Sequence, residues 1–288
     1  MTPDWKSTTL PHGIHAFTGG RGSPLVLLAG WPETADAFAE IFSHLAQHHQ
    51  VYAIDPPGLG DSAPSLSGYD TASISTLLKE SLSNTIPTPY HLVGHDVGSW
   101  IAYAWASQYP SSILSLTVLD SAIPGHAPAL TFPLPHATNL RLWQFSFNNL
   151  PDLPEILTAG RERELFDWLF DRKSAHPERI TAAKRQRYVD CYSRPGGMSA
   201  GFAYYRAVAV SAARHVEFVK HKLQMPVLAL GGEGAVGEGM ITAMLGLAED
   251  VRGGVVKDCG HYVVEEQPES VAKMLLDFLT EVDAKIAR

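Results

Sequence analysis

Two cysteines, Cys191 and Cys259, are too few for a disulfide framework, so these 288 residues hold together without one and suit a reducing compartment. There is no basic run. The 22 Lys and Arg stand against 30 Asp and Glu, a formal charge of −8, which leaves no positive face for a phosphate backbone. No stretch approaches the roughly 20 apolar residues a membrane helix needs. Residues 1–10 are polar and lack the apolar h-region of a signal peptide. Internal repeats and low-complexity segments are missing too. These absences predict a cytoplasmic protein with a small-molecule substrate as partner, no nucleic acid and no membrane, with a homodimer left open. What remains is a chain of 45% apolar content, long enough for one large domain or two modest ones.

Short apolar runs at 25–30, 51–55, 90–94, 114–119 and 226–230 read as strands buried on both faces, because they are continuously apolar and do not alternate. Residues 251–256 are a weaker candidate for the last strand. Helical patterns fall between them, at 35–48, 71–82, 99–107, 241–247 and 269–287. Strand and helix in alternation predict an α/β fold with a mostly parallel, doubly wound sheet. One region breaks the rhythm. From 123 to 223 the chain is helical and aromatic, with Pro124, Pro128, Pro133 and Pro135 at its start. An insert there reads as a cap over the carboxyl edge of the sheet, where open α/β sheets place their ligands.

The most specific local pattern is Gly94-His95-Asp96-Val97-Gly98, between a strand and a helix. Small flanking residues permit the sharp turn of a nucleophile elbow, which lifts the central side chain above the sheet. Aspartate in the centre changes the chemistry available. A carboxylate displacing at an sp3 carbon gives an ordinary ester that water can cleave, whereas attack on an acyl carbon gives a strained mixed anhydride. Asp96 therefore points to epoxides or alkyl halides and away from esters; the plain alternative is a cap on the helix that follows. Asp258-Cys259-Gly260-His261 follows the last strand and puts His261 on a loop at the same sheet edge, as the natural general base. Asp120 ends the strand after the elbow helix and is preferred for orienting His261, with Glu233 as the alternative.

Two patterns carry less. Gly232-Glu233-Gly234-Ala235-Val236-Gly237 matches G-x-G-x-x-G, but the single short strand after it leaves no room for a nucleotide-binding half. His44, His48 and His49 read as one solvated helix face with no carboxylate to complete a zinc site. No cofactor and no metal are predicted.

Ala29-Gly30-Trp31-Pro32-Glu33, the loop from Asp55 to Ser62, the Asp96 elbow and Asp258-Cys259-Gly260-His261 stand in a telling order and spacing. Together they resemble the epoxide hydrolase and haloacetate dehalogenase branch of the α/β-hydrolases, over essentially the whole chain. Segments 149–155 and 192–197 resemble cap segments of that branch. The resemblance implies an α/β-hydrolase core at 1–122 and 224–288 and a helical cap at 123–223. It implies an oxyanion hole made by the N–H groups of Trp31 and Val97. It makes Tyr205 the cap hydroxyl that polarises the leaving oxygen. Trp143, Phe145 and Phe147 stripe a cap segment and, with Gln144 and Tyr204, are expected to face an apolar substrate.

There are departures. Ala29 stands where the branch usually has histidine, and Gln144 where relatives carry a histidine or tyrosine as second ring-opening donor. Glutamine can hydrogen-bond an epoxide oxygen but has no proton to give near neutral pH. The halide branches fit worse. Fluoroacetate dehalogenases carry arginines just after the nucleophile and one helical turn on; haloalkane dehalogenases carry tryptophan directly after it. Here Val97 and Trp100 stand there. The expected reaction is two-step opening of an epoxide through an Asp96 ester. Two rivals stay open: dehalogenation of an uncharged alkyl halide, and a capped pocket that isomerises, cyclises or merely binds its ligand.

Overall fold

The computed structural model describes residues 5–126 and 133–286, and Pro128 lies outside them. The strands are β1 (Lys6–Leu10), β2 (Ile14–Gly20), β3 (Ser23–Leu28), β4 (His49–Ile54), β5 (Tyr90–His95), β6 (Ile113–Leu119), β7 (Val227–Gly232) and β8 (Val251–Val256). They form one sheet in the order β1-β2-β4-β3-β5-β6-β7-β8. The pairs β1–β2 and β2–β4 are antiparallel and the remaining pairs parallel. In β3, Leu25 and Leu27 join the core on one face, and Val26 and Leu28 the core on the other. A two-residue period with both faces covered is why the run is apolar throughout.

The sequence reading missed β1 and β2. Lys6, Ser7, Thr8 and Thr9 form a largely exposed edge strand with no apolar run to betray it. Its partner β2 is buried only over its first half.

Helices α1 (Ala39–Leu45), α2 (Thr71–Leu82) and α3 (Val97–Gln108) follow β3, β4 and β5. Between β6 and β7 the chain leaves the sheet for α4 (His136–Asn148), α5 (Leu153–Thr158), α6 (Glu162–Lys173), α7 (Ala182–Tyr192), α8 (Gly197–Arg206) and α9 (Val208–Phe218). Then α10 (Gly239–Leu245) follows β7, and α11 (Val263–Glu266) and α12 (Pro268–Ile286) follow β8. The helix expected over 35–48 is shorter, a 3-10 turn at Ala35–Phe38 running into α1. His49 is therefore not on a helix face with His44 and His48. It opens β4, is buried, and hydrogen-bonds Ser23.

A buried polar contact ties the insert to α2 of the core. His215 of α9 donates from Nδ1 to the Pro124 carbonyl at 2.9 Å, which leaves Nε2 to accept from the Thr71 hydroxyl at 2.8 Å. Burial pulls its pKa down to about 4, so the ring stays neutral. Among the described residues no helix is long and apolar enough to cross a membrane.

Candidate active site

The elbow depends on two missing side chains. Asp96 sits at φ 50°, ψ −121° between β5 and α3, strain that costs on the order of 1–3 kcal/mol. A Cβ on Gly94 would stand 2.3 Å from the Gly98 carbonyl oxygen, and one on Gly98 2.2 Å from that of Leu28. Glycine at both positions lets α3 pack tightly against β5 and β3. The buried Trp100, Ile101 and Trp105 hold α3 in place and so over-determine the turn.

Asp96 Oδ1 accepts the Trp31 N–H at 3.1 Å, and the Val97 N–H also hydrogen-bonds this carboxylate. Oδ2 faces His261 Nε2 at 3.4 Å. On the other side of the ring, His261 Nδ1 lies 2.7 Å from Asp120 Oδ2. Asp120 Oδ1 accepts the N–H groups of Gly232 at 2.7 Å and Val236 at 3.0 Å. The glycine-rich segment after β7 is thus a cradle for a carboxylate. Glu233 turns outward, binding Lys257 Nζ at 2.7 Å and the Asp258 N–H at 3.1 Å. The structure brings Asp120 to His261 and leaves Glu233 in solvent.

Burial alone would raise the Asp96 carboxyl, but the hydrogen bond and charge of His261, with His95 and the Val97 N–H, hold it at about 2. Burial would lower His261, and hydrogen bonds and charge from Asp120 and Asp96 overcome it, raising the ring to about 9. At neutral pH the pair is an ion pair: Asp96 is a free carboxylate and His261 an imidazolium.

A second buried array lies behind the first. His95 Nδ1 is 2.6 Å from Glu33 Oε2, and its Nε2 is 2.9 Å from the His261 carbonyl oxygen. Both partners only accept, so both ring nitrogens donate and His95 is cationic. Burial lowers its pKa and the Glu33 charge more than reverses this. Burial and the Glu33 charge drive the Glu265 carboxyl well above its ordinary value, against the pull of Lys184. This array fixes the backbone of His261. Sequence reasoning passed over Glu33 and His95, although both lie inside the quoted motifs. A polar residue beside the elbow was the available signal.

A cavity of about 280 Å3 opens over Asp96. Its walls include Asp96, Asp120 and His261 from the core and Gln144, Phe145 and Lys173 from the insert. Gln144 is 3% exposed and its Oε1 has no hydrogen-bond partner among the described residues. Tyr205 packs edge-on against Trp31, Trp100 and Phe145. Burial and then the Asp96 charge push its phenol well above the ordinary range, so its hydroxyl stays protonated.

Three expected substrate contacts, Tyr204, Trp143 and Phe147, do not line this cavity. The Tyr204 hydroxyl donates to the Pro57 carbonyl at 2.8 Å and the ring packs on Tyr69. Successive helical residues diverge by about 100°, so Tyr204 and Tyr205 cannot face the same space. Trp143 and Phe147, one turn apart on α4, line an outer groove with Trp168, while Gln144 and Phe145 face inward. Lys173 went unnoticed because Asp171-Arg172-Lys173 reads as an ordinary solvated helix end.

The alpha/beta hydrolase fold family matches over residues 23–268, and the chain belongs to it. It is 31% identical to a soluble epoxide hydrolase of Corynebacterium sp. (strain C12) over 273 residues, covering 92% of this chain and 93% of that protein. Among solved structures it is similar to Cfl2 from Burkholderia cenocepacia, with TM-score 0.90 and 38% identity over 95% of both chains. It is also similar to the epoxide hydrolase CorEH, with TM-score 0.87 and 28% identity over 96% of this chain and 99% of that one. The protein is an epoxide hydrolase-like enzyme of the α/β-hydrolase fold.

Proposed function

We propose that the enzyme opens epoxides in two steps, with Asp96 as nucleophile and residues 123–223 acting as the cap. The observation that carries this reading is the division of labour within one carboxylate. Asp96 Oδ1 accepts the Trp31 N–H, the Val97 N–H also binds the carboxylate, and Oδ2 faces His261 at the cavity. Oδ2 attacks an epoxide carbon, the ring C–O bond breaks, and Tyr205 donates its proton to the departing oxygen. Gln144 hydrogen-bonds that oxygen without protonating it.

The ester then switches the base on. Esterified Asp96 has lost the negative charge that holds His261 as an imidazolium, so the ring gives up its proton, which makes good the one Tyr205 donated, and the neutral ring takes another from the attacking water. Asp120 keeps Nδ1 protonated and the ring aimed. Water adds to the ester carbon, and the oxyanion that forms on Oδ1 meets the Trp31 N–H already there, with the Val97 N–H as the second donor to the carboxylate. The ester C–O bond breaks, the leaving alkoxide takes a proton from His261 and departs as the diol, and the new Asp96 carboxyl returns its proton to the ring, restoring the ion pair.

Water's oxygen therefore enters Asp96, and the diol's new oxygen comes from Asp96. A single turnover in heavy-oxygen water tests this: unlabelled diol and a labelled Asp96 peptide are expected. Label appearing directly in the diol of the first turnover overturns the covalent route. Halide release from an uncharged alkyl halide, with every epoxide inert, moves the assignment to dehalogenation.

A further inference from the structure

The mechanism above leaves one enclosed charge unused. Lys173 ends α6, and its carbonyl accepts the His261 N–H at 2.9 Å, which anchors its backbone to the loop that carries His261. Its half-buried side chain lines the cavity shared by Asp96, His261 and Gln144. Among the described residues its ammonium makes neither a hydrogen bond nor an ion pair. The nearby acids are committed elsewhere. Asp120 already takes His261, Gly232 and Val236, and Asp96 takes Trp31, Val97 and His261.

Enclosing an unpaired ammonium is unfavourable unless something in the working state pairs with it. Burial accordingly draws its pKa down, to about 8, against the pull of Asp96 and Asp120, and it remains mostly charged at neutral pH. The cavity rim repeats the sign. Arg141 and Arg172 are exposed there, and among the described residues Arg141 donates only to the Ala235 carbonyl. Beside the Asp96, His261 and Asp120 array, a chain of net charge −8 thus presents three further cations around one opening. Such an arrangement favours the entry of anions.

We infer that Lys173 is a specificity-determining anchor for a carboxylate on the substrate, so that the enzyme acts on epoxides bearing an acid group. Arg141 and Arg172 draw the anion to the mouth, and Lys173 holds it inside while the oxirane lies over Asp96. Gln144, aimed into the same cavity with an unpartnered amide oxygen, supplies a neutral contact beside the charged one. The positions after the nucleophile, Val97 and Trp100, offer no such clamp. The cation comes instead from the far end of a cap helix.

The inference rests on the proposed epoxide chemistry for its substrate class, and the test separates the two. Turnover of 3-phenylglycidate is compared with that of its uncharged amide, 3-phenylglycidamide, in the native enzyme and in Lys173→Met and Lys173→Arg. In parallel, calorimetry measures binding of the inert acid 3-phenylpropanoate and its amide. A charge-assisted hydrogen bond corresponds to roughly 10- to 100-fold. The acid is expected to lead the amide by about that factor in kcat/KM, through KM, and likewise in binding. Lys173→Met should collapse both ratios toward one, and Lys173→Arg should restore part of them. Circular dichroism guards against misfolding, and the arginine variant keeps the question open to refutation if the methionine variant fails to fold. Acid and amide treated alike by the native enzyme, or a preference that survives Lys173→Met, overturns the anchor. Equal losses for acid and amide in Lys173→Met also overturn it, in favour of Lys173 as a proton donor to the opening ring. If neither epoxide is consumed yet 3-phenylpropanoate binds through Lys173, the epoxide reading falls and the anchor stands.

Discussion

The sheet and the insert bring opposite kinds of polar group to one cavity. Those from the sheet arrive with their bonds made: Asp96 on Trp31 and Val97, His261 on Asp120, Asp120 on two N–H groups, His95 on Glu33. Those from the insert arrive without: the Gln144 Oε1 at the cavity wall is buried with no partner among the described residues. Lys173 and the Tyr205 hydroxyl likewise make no hydrogen bond among the described residues. A buried polar group left unpaired costs about 1–3 kcal/mol, so the insert holds free energy that a ligand can recover. The sheet side is preorganised for a reaction, and the insert is shaped for a particular substrate.

The hardest blow to that contrast comes from its centre. Asp96→Asn should lower turnover by roughly 10⁴-fold or more while circular dichroism stays unchanged, because the amide has nearly the same shape and is a poor nucleophile. Activity near the native level would remove Asp96 from the role, provided mass spectrometry shows that no deamidation has restored the acid. The same variant reads the electrostatics. His261 is raised to about 9 by Asp120 and Asp96 against burial. Removing the Asp96 charge should move its NMR titration down toward the ordinary value near 6.5. The sign for stability follows: a raised histidine stabilises fully below about 6.5 and loses that contribution as pH climbs through about 9. The native protein's melting temperature should therefore fall more than the variant's across that window. An unchanged His261 titration would mean that the two residues do not form an ion pair.

His261→Gln ranks next. It spares the first step and stalls the second, so a peptide carrying Asp96 plus the substrate mass should accumulate. With a turned-over epoxide in hand, the lack of any adduct would rule out the ester. Tyr205→Phe should then cost about 10³-fold in kcat, near the upper part of what one general acid contributes, because Gln144 has no proton to offer in its place. A nearly silent Tyr205→Phe beside a dead Gln144→Ala would instead favour an isomerising or binding role for the pocket.

How much of this was legible in the sequence divides along the same line. Asp96, Asp120 and His261 follow the carboxyl ends of the parallel strands β5, β6 and β8, so locating the strands locates them. The N–H of Trp31 is fixed by the same logic, since its position needs only the backbone after β3. Side chains on the insert are different. Which of Trp143, Gln144 and Phe145 faces inward depends on how α4 is rolled against α8 and the sheet, a tertiary choice that the α4 sequence does not carry. Lys173 shows the same limit, for its charge belongs to the cavity only because α6 ends against the His261 loop. The Glu33 and His95 pair was missed for another reason: each lies in a recognisable motif, but only the fold shows that the two motifs touch.

The smallest expected effect sharpens the contrast most. Tyr204 and Tyr205 are neighbours on α8, equally buried, and of identical chemistry. Tyr204 spends its hydroxyl on the Pro57 carbonyl, in the loop after β4, and its ring on Tyr69, whereas the Tyr205 phenol feels the Asp96 charge. Removing the Tyr204 hydroxyl leaves one buried carbonyl short of a donor, a loss of about 1–2 kcal/mol. For a chain of this size that lowers Tm by roughly 2–6 °C. Turnover should change by less than about threefold, since the lost bond touches neither Asp96 nor the cavity wall. Tyr204→Phe thus moves stability and leaves chemistry, and Tyr205→Phe does the reverse. Were Tyr204→Phe to lower kcat as far as Tyr205→Phe, the roll of α8 would differ from that described. The division between a satisfied scaffold and an unsatisfied substrate-facing surface would then have to be redrawn along this helix.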